Sequence, residues 1–129
     1  MQDKEVMIPA VERAVKCAAF ALDKKALDVK VLEIKNISSI ADYLVLATGR
    51  SDRQVQAMAD SVKQGLKPID KAIDTEGYDE GRWVVVDFGD VIVHLFQEDV
   101  RKIYNLDDLW SRAPQIEIPE EFLWEHKEK

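Results

Sequence analysis

The stretch Trp83-Val84-Val85-Val86-Asp87-Phe88-Gly89-Asp90-Val91-Ile92-Val93-His94-Leu95-Phe96 decides how this chain folds. Two runs rich in β-branched residues, 83–88 and 91–96, are joined by Gly89-Asp90, a two-residue signal for a tight hairpin. Side chains alternate faces with a period of two, so the turn sets Phe88 opposite Val91, Val86 opposite Val93 and Val84 opposite Leu95. That face is wholly apolar and belongs in a core. The reverse face pairs Asp87 with Ile92, Val85 with His94 and Trp83 with Phe96, mixing large aromatics with a carboxylate and an imidazole. Such a face suits a partner, and Trp83 and Phe96 would then contribute about 2–4 kcal/mol each as anchors. The alternative is that a helix of the same chain covers it.

Upstream, Ile8, Val11, Val15, Ala18, Ala19 and Leu22 recur at helical spacing behind Pro9, which suits a first turn. Val29 to Lys35 reads as a strand, and the continuous apolar run Asp42 to Thr48, ending at Gly49, as a central strand covered on both faces. Ser51 and Gln54 have capping-box spacing, and Val55, Met58, Ala59, Val62 and Leu66 follow on one helical stripe that Pro68 stops. A short strand is expected within Ala72 to Thr75 and a loop over Glu76 to Arg82. Downstream, Glu98 to Tyr104 reads as a helix with Val100, Ile103 and Tyr104 inward, broken or restarted at Asn105 or Asp107. The core is expected to end near Trp110. Ser111 to Lys129, with Pro114 and Pro119, reads as extended, with one helical turn around Phe122 to Trp124. The order of elements gives an α/β (α+β) fold in a single domain, a mixed β-sheet with flanking helices.

The chain has 129 residues, 47% of them hydrophobic and 33% charged, the balance of a soluble globular domain. Its 18 basic and 25 acidic residues leave a net charge of −7, which disfavours direct grip on nucleic acid or anionic lipid. No apolar run approaches the ~20 residues of a membrane span, and the charged start Met1-Gln2-Asp3-Lys4-Glu5 does not support secretion. Cys17 is the single cysteine and reads as a small buried hydrophobe, consistent with a reducing cytoplasm.

Asp87, Asp90 and His94 are the one constellation with chemical potential, as ligands of a metal-dependent, nucleotidyltransferase-like enzyme. Asp90 lies in the turn, however, and His126 is far off in the tail, so too few ligands converge for a metal. The expectation is no catalytic residue, no metal and no cofactor, with Asp90 supporting the hairpin and His94 satisfied by Asp87 or water. Thr48-Gly49-Arg50-Ser51 leads into a helix but lacks a phosphate-loop pattern. Between Asp70 and Asp90 stand seven acidic residues against Lys71 and Arg82, a concentration that beside Trp83 would steer a basic partner toward the aromatic face.

The hairpin, continuing through Glu98, Arg101, Tyr104, Leu106, Leu109 and Trp110, closely resembles the ribosomal silencing factor S family, also called Iojap. Ala26-Leu27-Asp28-Val29, Ser38-Ser39-Ile40-Ala41-Asp42-Tyr43 and Thr48-Gly49-Arg50-Ser51 with Gln54-Val55 are similar to its other signatures, so the likeness runs from about Val11 to Ser111. The resemblance implies a fold like that of nucleotidyltransferases without their catalytic carboxylates. It also implies a non-enzymatic repressor of translation that binds the large ribosomal subunit through a basic ribosomal protein, the fourteenth, and keeps the small subunit from joining. No direct nucleic-acid contact is required, no membrane is involved, and members can be homodimers when isolated. Carried over by the resemblance, the partner-binding residues are Trp83, Val84, Asp87, Asp90, His94, Tyr104 and Trp110. On this reading the silencing domain spans residues 1–111 and an extension spans 112–129.

Overall fold

A computed structural model describes residues 8–122. The first helix, α1 (Ala10–Leu22), follows Pro9 at its N-cap and buries Ala14, Cys17, Ala18, Ala21 and Leu22. Of the expected stripe, Val11 packs half-buried against this cluster, whereas Val15 and Ala19 are turned away from it. The small buried side chains let α1 lie close against its neighbours, whereas branched residues at the same positions would hold it away. Burial pushes the Cys17 thiol up to about 12, so it stays protonated and serves as packing.

A bulge at Asp28, where φ is +49°, opens β1 (Leu27–Glu33), which pairs antiparallel with β2 (Tyr43–Gly49). Every residue of β2 is buried. Helix α2 (Asp52–Leu66) begins at Ser51, whose Oγ accepts from the Gln54 backbone N–H at 3.1 Å. The reciprocal bond of the expected capping box shifts by one residue, since Gln54 Oε1 accepts from the Arg50 N–H instead. Gln54 Nε2 also donates to the carbonyls of Lys24 and Lys25, tying the end of α1 to the start of α2. Next come β3 (Asp74–Glu76), β4 (Trp83–Asp87) and β5 (Val91–Gln97). The hairpin register is the expected one, with Val86 opposite Val93, Val84 opposite Leu95, and Trp83, Val85 and Asp87 opposite Phe96, His94 and Ile92.

The six strands order as β3-β4-β5-β2-β1-β6, antiparallel except for the central parallel pair β2 and β5. Helices α1 and α2 pack on one face over Val31, Val45, Ala47, Val84, Val86 and Val93. On the other face α3 (Glu98–Tyr104) and the short α4 (Leu106–Leu109) close over Leu32, Ile34, Leu44, Leu46 and Phe96. Asn105, at φ +49°, ends α3 in the left-handed region and caps α4 by accepting from the Asp108 N–H. Within α3, Val100 and Arg101 face inward, while Ile103 and Tyr104 point outward, contrary to the expected inward pair.

The core does not end at Trp110. β6 (Gln115–Ile116) pairs with Val31 and Leu32 of β1, and Ile118 joins the core over α1. The segment from Arg112 onward, expected as an extension, therefore supplies an edge strand and a core side chain. Of the expected turn around Phe122 to Trp124, residues 120–122 are helical, and Leu123 and Trp124 lie outside the described residues. Because Ile118 is 9% exposed, Ile118→Ala should lower unfolding free energy by about 2–4 kcal/mol in urea denaturation. A dispensable tail would give no change.

Candidate functional site

Period-two alternation gives the second face of the hairpin six side chains, and the structure treats them unequally. Phe96, expected as a second anchor, is fully buried beneath Val100, with the Arg101 guanidinium 5.5 Å from its ring. It is core, because α3 folds straight back from the end of β5. Trp83, one strand further out, is only half-buried, its ring centred 4.7 Å from that of Tyr104, which is 59% exposed. Val85, Asp87, Ile92 and His94 are also half-buried. The face is thus divided, with the β1, β2 and β5 part roofed by α3 and α4 and the β4 side left partly open.

His94 completes the platform. Its Nδ1 accepts from Trp83 Nε1 at 3.1 Å. Indole nitrogen can only donate, so the imidazole offers its Nδ1 lone pair in the neutral form. Burial pulls the imidazole down to about 4. Trp83, rather than the expected Asp87 or water, thus satisfies this imidazole nitrogen, and the bond fixes the Trp83 ring.

The remaining carried-over residues separate. Val84 is fully buried on the opposite face beneath α2, where no partner reaches it, because strand alternation points it away from Trp83. Asp90 grips Arg13 with both oxygens, at 2.8 and 2.6 Å, and Arg13 also holds Asp70 at 2.8 Å. The guanidinium lowers the Asp90 pKa. Asp90 therefore clamps the hairpin to α1, and the hairpin backbone is supported by Asp87, whose Oδ1 accepts from the Gly89 N–H at 2.7 Å. Trp110 is half-buried against the second cluster beside the exposed Leu109. Asp87, Asp90 and His94 each have a different partner and do not form the metal constellation of the enzymatic alternative. Among the described residues no group of three His, Cys, Asp or Glu side chains could hold a metal ion.

Two features lay beyond the sequence reading. The first is Arg101, buried to 8% exposure, which donates to the Thr48 hydroxyl, the Asp28 carbonyl and both oxygens of Asp107 at 2.7–2.8 Å. Asp107 is held well below the usual carboxylate range by that guanidinium, with Lys30 adding to the effect. Arg101 thereby anchors the helix pair that carries Tyr104. The available signal was its place among the residues that carry the family likeness, on a short helix. The second is an acidic edge: β3 pairs Asp74 with Asp87 and Glu76 with Val85, so alternation sets Asp74 and Glu76 on the Trp83 face. Asp70 and Asp90, which share the single guanidinium of Arg13, are tied to α1 and take no part in it.

A half-exposed aromatic platform with a carboxylate edge, on a mixed sheet, is the equipment of a protein that binds another macromolecule. The family described as ribosomal silencing factor during starvation matches residues 8–129. The ribosomal silencing factor of Bacillus subtilis is 45% identical over 102 residues, covering 78% of this chain and 86% of the relative. The chloroplastic Iojap protein of Arabidopsis thaliana is 34% identical over 106 residues, covering 82% of this chain and 44% of that protein. A crystal structure of a Chromobacterium violaceum protein, 37% identical, superposes with a TM-score of 0.74 over 80% of this chain and 88% of its own. The chain belongs to the ribosomal silencing factor family, which places it among ribosome-associated regulators of translation.

The His94 geometry sets a sign for acid sensitivity. Unfolded, the imidazole takes up a proton around its ordinary 6.5; folded, it does so only near 4. Stability from this group is complete above 6.5 and is lost as pH falls from there toward 4, by up to about 3 kcal/mol. Urea denaturation of parent and His94→Gln at pH 7 and pH 4.5 should show the parent losing more stability than the variant by about 2–3 kcal/mol. Parallel losses would show that His94 titrates normally.

Proposed function

We propose that this protein represses translation in the cytoplasm by binding the large ribosomal subunit through a basic ribosomal protein, the fourteenth, and obstructing the joining of the small subunit. The observation that carries the reading is the half-exposed Trp83 ring, held by His94 and Tyr104 beside the carboxylates of Asp74, Glu76 and Asp87. A large aromatic at the centre of a desolvated contact supplies affinity, and the acidic edge supplies attraction and orientation toward a cationic protein. Tyr104 and Trp110 extend the contact on the helix side, whereas Val84 and Asp90 serve the fold. Obstruction needs no chemistry, only a folded body seated where the other subunit would dock.

The exposed apolar side chains Ile103, Tyr104 and Leu109 favour a second use of the same side. Without ribosomes a second copy covers them, and the homodimer competes with the subunit for the platform.

Purified protein should co-sediment with large subunits and not with small ones, and should lower the yield of joined ribosomes. Trp83→Ala should weaken binding by about 30-fold or more, equivalent to about 2 kcal/mol. Tyr104→Ala, at an exposed position, should weaken it with little loss of stability. Parental binding by both variants would remove the platform as the contact.

A further inference from the structure

Lys63, Lys67 and Lys71 converge on one groove of about 460 Å³ between the end of α2 and β3, with Gln64 and Thr75 beside them and Asp74 on its wall. Among the described residues none of the three ammonium groups pairs with a carboxylate, whereas Lys30, Lys35 and Lys102 are paired with Asp107, Glu33 and Glu98 at 3.0, 3.8 and 3.6 Å. Of the acids closest in sequence, Asp70 is engaged by Arg13 at 2.8 Å, while Asp74, whose Oδ1 accepts from the Thr75 backbone N–H at 2.9 Å, keeps its charge. The described lining therefore sets three lysines against the single carboxylate of Asp74, a local excess of positive charge in a chain whose net charge is −7. The dipole of α2 accounts for Lys63 in its last turn and Lys67 at its C-cap. It does not account for Lys71, which reaches the same groove only after the chain has turned at Pro68.

We propose that this groove holds a phosphodiester backbone of ribosomal RNA as a second contact, made when the Trp83 platform is seated on its protein partner. The inference rests on the ribosome-binding reading above and adds to it a partner of different chemistry. Lysines are point charges on flexible stems and accept a phosphate in many orientations, while Gln64 and Thr75 offer neutral hydrogen bonds. The groove borders β3, and β3 also carries Asp74 and Glu76 of the platform's edge. A body docked by that edge onto a ribosomal protein turns the groove toward whatever lies beside it, and on a ribosomal subunit that neighbour is chiefly RNA. Acidic and basic surfaces meeting along one strand fit a boundary between a basic protein and a polyanion. An acidic protein in the groove would need a second protein at the same boundary.

The test compares the full chain with a triple variant, Lys63→Gln, Lys67→Gln and Lys71→Gln, in binding to purified large subunits between about 50 and 200 mM salt. Each lysine on a phosphate adds about 0.7–0.9 to the slope of log affinity against log salt, so the parent should lose roughly 20–40-fold more affinity across that range than the variant. A photo-crosslinking residue at position 67 should label ribosomal RNA. Equal slopes, or label on protein alone, with parental binding intact, would overturn the groove proposal and leave the silencing reading standing. Failure of the parent to bind large subunits at all would overturn both.

Discussion

The parallel pairing of β2 with β5 is the constraint from which the rest follows. A strand whose seven residues are all buried needs cover on both faces, and a parallel neighbour can be reached only by a long crossover. The crossover supplies α2, which with α1 covers one face. The other face is left to whatever follows β5, and α3 and α4 are short. They reach across β5, β2 and β1 but leave β4 half-open. The surface proposed for binding is the part of that face which, among the described residues, α3 and α4 do not reach.

Arg101 turns that remainder into a defined surface. Burying a guanidinium is costly unless its donors are satisfied, and here Thr48, Asp28 and Asp107 take them from three separate segments. The helix pair is thus fixed over Phe96, Tyr104 lies against Trp83, and the Trp83 indole N–H is held by His94. A tryptophan whose ring rests against Tyr104 and whose nitrogen is hydrogen-bonded to His94 loses little conformational freedom on binding, which favours affinity.

Charge is arranged by the same geometry. Arg13 ties Asp70 and Asp90 into one partly exposed ion-pair network on α1, so the acidic edge beside the platform consists of Asp74, Glu76 and Asp87. Engagement of Asp70 also leaves Asp74, among the described residues, as the one carboxylate lining the groove of Lys63, Lys67 and Lys71. One ion-pair network thereby sharpens both the negative border and the positive groove, although the sequence shows only an acidic region.

Local rules carried far. The hairpin register, the Ser51 cap, the fully buried β2 and the bounds of α3 all follow from alternation, turn residues and caps, which act within a few residues and are written in the chain. The family likeness likewise rests on ordered local motifs. The sequence alone could not tell that Phe96 is roofed while Trp83 is half-exposed, since both lie on one face and only the reach of α3 separates them. Nor could it assign Asp90 to Arg13, Ile118 to the core, or Lys71 to the groove beside Lys63. Those are contacts between segments distant along the chain, and their partners are chosen by the packing of helices on a sheet rather than by any pattern within a segment.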